Sequence, residues 1–155
     1  MRRKEKQVIG QKIIDDIFET AQVCRLGMVD DGEPYIVPVN YGYEAEILYV
    51  HSAASGRKID ILKHNNHVCF EIETPSELVK HNNPCNWGAK ARSLIGYGRV
   101  EIVTDLEEKK RGLDIILAHY GNNDQNVYDD AKLHDLVLLK ISIETVTCKQ
   151  LGNWD

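Results

Sequence analysis

The sequence predicts a mainly β domain, a small antiparallel barrel with flanking helices. Short strands dominate the predicted order of elements, which is helix, strand pair, strand, helix, two strands, helix and strand. Tight turns join several neighbouring strands, which favours antiparallel pairing over a parallel sheet. The chain has 155 residues, of which 43% are hydrophobic. That is enough for one core, so residues 1–155 are predicted to form a single domain.

The first half of the chain alternates between helical and strand patterns. Apolar residues at helical spacing predict a helix over residues 9–22. Residues 24–29 and 35–43 predict two antiparallel strands, and the turn between them contains Gly32, which tolerates a positive φ. A short strand (46–51) and a second helix (55–64) follow.

The second half of the chain is predicted to return to strands around one further helix. The loop predicted for residues 74–88 contains two prolines, and loops of this length are often functional. The predicted elements are a strand (68–73), that loop, a strand (91–103), an amphipathic helix (106–120), a polar connection (121–130) and an apolar strand (136–146).

The strand predicted over residues 35–43 has two unequal faces. Its odd positions are apolar. The last three even positions are Pro38, Asn40 and Gly42, whose side chains are small or absent. Pro38 cannot donate to a sheet ladder, so it belongs on an edge, at a bulge or beside a ligand. The even face is therefore either the solvated face of an edge strand or the contact surface of a ligand.

The segment after the strand at residues 46–51 has the composition of a phosphate site. Arg57 and Lys58 lie in the first turn of the predicted helix, where each cation is unfavourable by roughly 0.3–1 kcal/mol beside the helix dipole. A bound anion would offset this cost. The hydroxyls of Ser52 and Ser55 would join it, with Ser55 also placed to cap the helix. The alternative is a solvated Arg-Lys pair that Asp60 partly compensates.

Glycines elsewhere do not form a known nucleotide-binding loop. Gly56 is isolated, so neither a triphosphatase loop nor a Rossmann fingerprint is present. Gly96 and Gly98 share one strand face with Arg92. They permit close approach by another backbone or by a flat ligand, and barrel curvature is a third reason for glycine at these positions. Arg92 and Ser93 offer a second cation and hydroxyl for a phosphate.

Charge and composition argue against several classes of partner. The net charge of −5 opposes broad contact with nucleic acid. A barrel that binds single strands would need a basic groove with aromatic platforms, whereas these tyrosines alternate like core residues. No apolar run reaches the length of a membrane span. The N-terminus lacks the apolar core of a signal peptide, so a cytoplasmic location is expected.

The four cysteines are widely spaced and include no Cys-x-x-Cys pair, so the sequence suggests neither a metal site nor a dithiol. Free thiols are the expectation in a reducing compartment. Cys24, Cys69 and Cys148 lie in apolar or alternating stretches, where they act as small hydrophobes. Cys85 lies in a polar stretch, and both a reactive and a plain structural role stay open for it.

Several short segments, taken together, span most of the chain in a particular order and spacing. They are residues 1–4 (MRRK), 25–29 (RLGMV), 34–41 (PYIVPVNY), 51–53 (HSA), 56–58 (GRK), 92–93 (RS) and 96–98 (GYG). In this order and spacing they resemble the nitroimidazole-resistance branch of the pyridoxamine 5'-phosphate oxidase-like flavoproteins. No single segment is diagnostic, but accidental agreement of all of them is improbable.

The resemblance implies a six-stranded antiparallel split β-barrel that forms a homodimer, with FMN in the groove between subunits. FAD is the alternative cofactor. The phosphate would lie on the Arg57-Lys58 segment, and the strand containing Val39 would run beside the flavin ring. The residues expected to contact the cofactor are Pro38, Val39, Asn40, His51, Ser52, Ala53, Gly56, Arg57, Lys58, Arg92 and Ser93.

The resemblance also implies an FMN-dependent oxidoreductase acting on a small aromatic substrate, such as a nitro compound of the 5-nitroimidazole type. His51 corresponds to a histidine near the reactive centre and is expected to be catalytic, because histidine exchanges protons near neutral pH. A module that holds flavin or haem without turnover is the alternative. The sequence departs from the family pattern at Ala91, where many relatives have an aromatic residue. This difference is expected to affect cofactor affinity or substrate choice.

Overall fold

Strands make up most of the regular structure in the computed structural model, which describes residues 6–122 and 124–154. Residues 1–4 of the family resemblance lie outside these ranges. Within the described ranges, six strands have seven residues or more and three are shorter, so the mainly β class is confirmed. The elements are β1 (Gln7–Val8), α1 (Gln11–Thr20), β2 (Cys24–Asp30), β3 (Glu33–Val39), β4 (Gly42–Glu44), β5 (Ile47–Ala53), α2 (Arg57–His64), β6 (His67–Glu73), β7 (Glu77–Val79), β8 (Gly88–Val103), α3 (Leu106–His119), α4 (Asp130–Asp135) and β9 (Leu136–Leu151).

The main sheet has the strand order β3-β2-β6-β8-β9-β5-β4, and every pairing between described strands is antiparallel. β1 adds to β9, and β7 adds to β8. β3 and β4 lie at opposite ends of this order, yet only residues 40 and 41 separate them in the chain. The sheet must therefore curl until its two ends meet. Because no described ladder joins the ends, the barrel is not closed, which is consistent with a split barrel.

The two longest strands, β8 and β9, form the middle of the sheet. Their register shifts between Tyr97 and Gly98, which leaves Glu144 as an extra residue on β9. Such a bulge bends the strand that contains it and increases its twist. The carboxylate of Glu144 lies 2.9 Å from Arg99 Nε and 3.6 Å from His67 Nε2. The bulge therefore supplies curvature that the barrel needs.

The core lies inside the curled sheet, under α1. Phe18 of α1 stacks on Tyr43 with ring centres 4.1 Å apart. Burial of a large apolar side chain stabilises a fold by roughly 1.5–3 kcal/mol. The hydroxyl of buried Tyr41 lies 2.8 and 2.9 Å from the carbonyl oxygens of Phe18 and Ala21. Burial raises the pKa of Tyr41, so the phenol stays protonated and donates.

The helices α1, α2 and α3 match the predicted ones closely in position. The side chain of Asp105 caps α3 by accepting from the backbone N–H of Glu108 at 2.8 Å. Among the described residues, none of the helices combines the length and apolar character needed to cross a membrane.

The prediction of one continuous strand over residues 35–43 is wrong. β3 ends at Val39 and β4 begins at Gly42, because the chain crosses here from one end of the sheet to the other. Period-2 alternation continues through the crossing, so the sequence pattern did not reveal it. The prediction of an edge position for Pro38 is consistent with the structure, since the described part of β3 pairs only with β2.

Residues 74–88 are also more ordered than predicted. β7 pairs with the start of β8, and a short 3₁₀ turn occupies Pro84–Asn86. The side chains of β7 are exposed, so its sequence lacks the alternation that marks a half-buried strand. The polar connection ends in the unpredicted helix α4, and β9 extends five residues beyond the predicted end at Val146.

Gly96 and Gly98 are explained by the packing of the protein itself. A Cβ on Gly96 would lie 2.2 Å from Cζ of Phe70, and one on Gly98 would lie 2.5 Å from the carbonyl oxygen of Ser142. Both distances are far below van der Waals contact. Of the alternatives open from the sequence, close approach by the protein's own atoms accounts for these glycines.

Candidate functional site

A cavity of about 420 Å³ lies where the two ends of the sheet approach each other. We call it the split cavity. β3 supplies one wall and β5 another, and the turn before α2 completes it. Because β3 and β5 share no ladder, side chains from both strands reach the gap between them. The lining residues are Tyr35, Val37, His51, Ser52, Ala53, Ser55, Gly56, Arg57 and Lys58.

Six of the predicted site residues therefore meet in one place, namely those from residues 51–53 and 56–58. They come from the end of β5 and the start of α2. Gly56 makes the connection possible, since its φ of 121° is a conformation that other residues rarely adopt. Volumes of this size are typical of small-ligand pockets.

The predicted cap at Ser55 is wrong. α2 begins at Arg57, Gly56 holds the cap position, and no side chain caps the helix. The carbonyl oxygen of Gly56 accepts from the N–H groups of Ile59 and Asp60 at 2.9 and 3.1 Å. The unusual backbone of Gly56 shifts the helix start beyond the reach of Ser55. The side chain of Ser55 instead belongs to the wall of the split cavity.

The start of α2 offers unused donors to the split cavity. Within residues 6–122 and 124–154, nothing accepts from the backbone N–H groups of Arg57 and Lys58. The first N–H groups of any helix lack partners inside the helix. An anion can accept from them and is favoured by the helix dipole.

Arg57 is already engaged by carboxylates. Its guanidinium lies 3.3 Å from Asp30 and 3.2 Å from Glu33, at the two sides of the β2–β3 turn, and 4.7 Å from the ring centre of Tyr35. The hydrogen bond to Asp30 is the first cause of the raised pKa of Arg57. The predicted compensation of the Arg57-Lys58 pair by Asp60 is wrong. Asp60 pairs instead with Lys63, at 3.7 Å. Arg57 ties α2 to the hairpin across the split.

Lys58 has the opposite environment. Its side chain is half-buried, and no carboxylate of the described residues lies within 4.0 Å of its ammonium group. Burial lowers the pKa of Lys58, since desolvation disfavours the charged form. An unpaired, partly desolvated cation next to free N–H groups is an arrangement that a bound anion would stabilise.

A larger cavity of about 720 Å³ also touches Arg57, but its lining contains Asp30, Asp31 and Asp60. Three carboxylates repel an anion. The charges around α2 are thus divided, with the acidic groups in this larger cavity and Lys58 in the split cavity. Of the two cavities that touch Arg57, the split cavity is the one suited to a phosphate.

His51 is exposed at the end of β5, beside Leu138 of β9. In the described part of the chain its ring nitrogens have no hydrogen-bonding partner. It lines the split cavity, and it also lines a second cavity formed with α3 and α4. The imidazole is therefore available to a ligand in either cavity.

Residues 38–40 lie beyond the split cavity, at the end of β3. Pro38 and Asn40 are exposed, and Val39 packs into the core. Tyr35 and Val37, which were not among the predicted site residues, line the cavity instead. Their position on the odd face of β3 was the available signal, because alternate side chains share a face. Contact of residues 38–40 with a flavin ring stays a prediction.

Arg92 and Ser93 do not line the split cavity within one chain. On β9, Arg92 is opposite Gln150, whereas Ser52 is opposite Val137. These two positions on β9 are roughly 40 Å apart along the strand. Arg92 instead donates to the side chain of Gln150 at 2.9 Å and lies 3.8 Å from the ring centre of Trp154. One chain alone does not bring the two predicted phosphate groups together.

The cysteines are free thiols. Burial raises the pKa of Cys24 to about 12 and also raises the pKa of Cys148, so neither is a reactive thiolate. Cys85 is exposed beside the 3₁₀ turn, and its role stays open. No group of three or more potential ligands in the described residues is placed to hold a metal ion.

Comparison with known proteins identifies the family. The sequence profile described as pyridoxamine 5'-phosphate oxidase matches residues 11–150 of the chain. The chain belongs to this family. A solved structure of a candidate 5-nitroimidazole antibiotic resistance protein from Bacteroides thetaiotaomicron is 35% identical and superposes with a TM-score of 0.85. The match covers 94% of this chain and 87% of that one, which confirms the resemblance to the nitroimidazole-resistance branch.

Two more distant structures share the fold. The FAD and haem binding protein of Mycobacterium smegmatis has a TM-score of 0.86 at 18% identity, covering 96% of this chain and 75% of that one. A flavocytochrome of Azotobacter vinelandii has a TM-score of 0.82 at 20% identity, covering 99% and 72%. No curated protein sequence matches the chain. At these identities, the two structures are evidence for the fold alone.

Proposed function

We propose that the chain binds a flavin nucleotide, FMN, with its phosphate in the split cavity. The observation that carries this proposal is Lys58, a half-buried cation without a carboxylate partner in the described residues, next to free N–H groups of α2. Fold relatives named for FAD or for a flavocytochrome support the choice of a flavin. The split cavity offers one anion site, at Lys58 and the start of α2, and this supports FMN, which has a single phosphate, over FAD.

The residues around Lys58 include hydroxyl groups that suit a phosphate and apolar side chains that suit a ring system. The hydroxyls of Ser52 and Ser55 can donate to phosphate oxygens, and Tyr35 and Val37 offer apolar contact. Arg57 positions the start of α2 through its pairing with the β2–β3 turn. A bound flavin would supply the electron transfer, and the chain would supply binding, orientation and electrostatics.

The working unit in this proposal is a homodimer. An apolar row crosses the outer face of four strands through the register pairs Ile36–Gly27, Gly27–Cys69 and Cys69–Tyr97. Ile36 is 65% exposed and Tyr97 is 47% exposed, which is unusual for large side chains in a continuous row. A second copy that covers this face could also bring its Arg92 and Ser93 towards the split cavity.

The proposed reaction is electron transfer from the reduced flavin to a small aromatic compound, with nitro-aromatics as the leading class. The name of the Bacteroides relative supports this class. His51 would donate a proton to the product, since its ring is exposed and unbonded in the described structure. The reducing cytoplasm is the proposed compartment, where four free thiols are stable.

The test is reconstitution followed by oxidation. Purified protein is mixed with FMN or FAD, and absorbance and fluorescence titrations give each dissociation constant. We expect FMN to bind more tightly than FAD. The reduced complex is then mixed anaerobically with a 5-nitroimidazole, and reappearance of oxidised flavin absorbance is followed. Absence of flavin binding would refute the proposal.

The second candidate is a protein that holds flavin or haem without turnover. The fold relative named for both FAD and haem favours it. Tight flavin binding together with failure to pass electrons to any nitro-aromatic would support this candidate over the oxidoreductase.

A further inference from the structure

A second cavity, of about 450 Å³, also has His51 in its wall. We call it the apolar chamber. It lies between α3, the segment before α4, α4 itself and the start of β9. Its apolar lining consists of Leu113, Ile116, Leu117, Val127, Leu133 and Leu136. A cavity of this volume with mostly apolar walls is suited to a small organic molecule.

One wall of the apolar chamber is fixed by Asp114, which does not line it. The carboxylate of Asp114 accepts from the Tyr128 hydroxyl at 2.6 Å and from the Asn126 side-chain amide at 2.9 Å. Burial first, and then the bond to Asp114, raise the pKa of Tyr128, so the phenol remains a donor. These two bonds hold the segment before α4 against α3.

The opposite wall is fixed by Lys109, whose side chain is 7% exposed. Its Nζ donates to the carbonyl oxygens of Leu133 and Leu136 at 2.9 and 2.8 Å. A buried ammonium group is costly unless it is hydrogen-bonded, and here the two carbonyls offset that cost. The chamber is therefore held open by polar bonds made outside its apolar lining, which is a feature of preorganised sites.

Val127 is the residue that packing does not explain. Its side chain is 98% exposed, although both neighbours are bonded to α3 through Asp114. An apolar side chain held in this way gains nothing from burial in the chain alone. It would gain from contact with an apolar ligand in the chamber that it lines.

We infer that the apolar chamber binds the substrate of the proposed reaction, a neutral aromatic compound whose polar group faces His51. This rests on the proposed function, since His51 is the residue shared with the split cavity proposed for the flavin. A neutral compound is favoured because the two charged residues in the lining, Asp129 and Lys132, have opposite charges that cancel.

The experiment uses nitrobenzene as a neutral probe and benzoate as its anionic counterpart of similar shape. Calorimetry measures the affinity of each probe for the full chain, with and without FMN. Leu117→Trp fills the chamber, and Val127→Asp places a charge in its lining at an exposed position that does not threaten folding. The control, Ala118→Trp, adds the same indole to α3 at an exposed residue outside the lining.

We expect nitrobenzene to bind more tightly than benzoate, and Leu117→Trp and Val127→Asp each to weaken nitrobenzene binding at least about tenfold, which corresponds to about 1.4 kcal/mol. Ala118→Trp should not change it, and FMN affinity should stay the same in all three variants.

Unchanged nitrobenzene affinity in both chamber variants, or absence of nitrobenzene binding to the native chain, would overturn the inference. A parallel loss of FMN affinity in Val127→Asp would overturn it as well, because the chamber would then belong to the flavin site. If FMN fails to bind but nitrobenzene binding responds to both variants, the proposed flavin function fails while the ring-binding chamber stands.

Discussion

Lys58 differs from Lys63, the other lysine of α2, in what surrounds its ammonium group. Lys63 is exposed and lies 3.7 Å from Asp60, whereas Lys58 is half-buried and its pKa is lowered by burial. An exposed ion pair contributes little to stability or binding. A partly desolvated cation contributes more to a bound anion, because less water competes for its charge.

Replacement of Lys58 by Ala should weaken FMN binding about 10- to 100-fold, since a hydrogen bond to a charged group contributes about 1.5–3 kcal/mol. Arg57→Ala should have a smaller effect, because Asp30 and Glu33 already engage Arg57. Fluorescence titration with FMN measures both. Lys63→Ala on the same helix is the control. Equal affinities in the Lys58 and Lys63 variants would contradict the phosphate assignment.

Lys58 is also expected to lower the free energy of unfolding of the apoprotein. Its pKa is lower in the folded chain than in the unfolded one, so the unfolded chain binds the proton more tightly. The cost is fully present below the folded pKa and is relieved as pH rises through that pKa.

Lys58→Met should therefore raise the free energy of unfolding at pH 7, by up to about 1 kcal/mol because solvent still screens the side chain. The gain should shrink in alkaline solution. Urea unfolding at several pH values measures this, with Lys63→Met as the control. A loss of stability at pH 7 would show that the ammonium group has a favourable partner in the folded chain.

At the scale of elements, β8 shows how a strand is shaped by its neighbours. Gly96 faces the ring of Phe70 on β6, and the bulge beside Gly98 bends the pair of β8 and β9. A side chain at Gly96 would have to displace the ring of Phe70, and one at Gly98 would have to displace the backbone of β9. The glycines are thus a requirement of the curved sheet.

Gly96→Ala should lower the free energy of unfolding by about 1–3 kcal/mol, the usual cost of overpacking. Gly88→Ala at the start of the same strand is the control, because a Cβ there has nothing within 4 Å. It should change stability by less than about 0.5 kcal/mol. The midpoint of urea unfolding measures both. Equal midpoints would mean that Phe70 moves aside without cost.

At the scale of the whole molecule, the split cavity alone does not use every predicted cofactor residue. Arg92 and Ser93 lie on β8, beside the end of β9 opposite to the one that pairs with Ser52, and they do not line the split cavity. The exposed apolar row from Ile36 to Tyr97 gives a second copy a surface to cover. Dimer formation and complete flavin binding are therefore expected to depend on each other.

Tyr97→Glu places a charge in this row and should convert the proposed homodimer to monomers. FMN affinity should fall at the same time, because the partner's contribution is lost. Light scattering coupled to gel filtration gives the mass, and FMN titration gives the affinity. Lys12→Glu, at an exposed position on α1, is the control. A native dimer that persists in Tyr97→Glu would argue against this face as the interface.

The sequence by itself determined the mainly antiparallel class, the positions of α1, α2 and α3, and the cluster from His51 to Lys58. These features depend on local spacing of apolar, turn and charged residues, which is written directly in the chain. The six predicted residues at the end of β5 and the start of α2 lie close in sequence, so their meeting in one cavity needed no knowledge of long-range contacts.

The tertiary structure alone decided which strands face each other across the split, and hence that Tyr35 and Val37, rather than Pro38 and Asn40, line the cavity. It also decided that Asp30 and Glu33 neutralise Arg57 while Lys58 stays unpaired among the described residues. The physical reason is that sheet curvature and ion pairing join residues distant in sequence. Local periodicity carries no record of how far a sheet curls or which carboxylate a cation reaches.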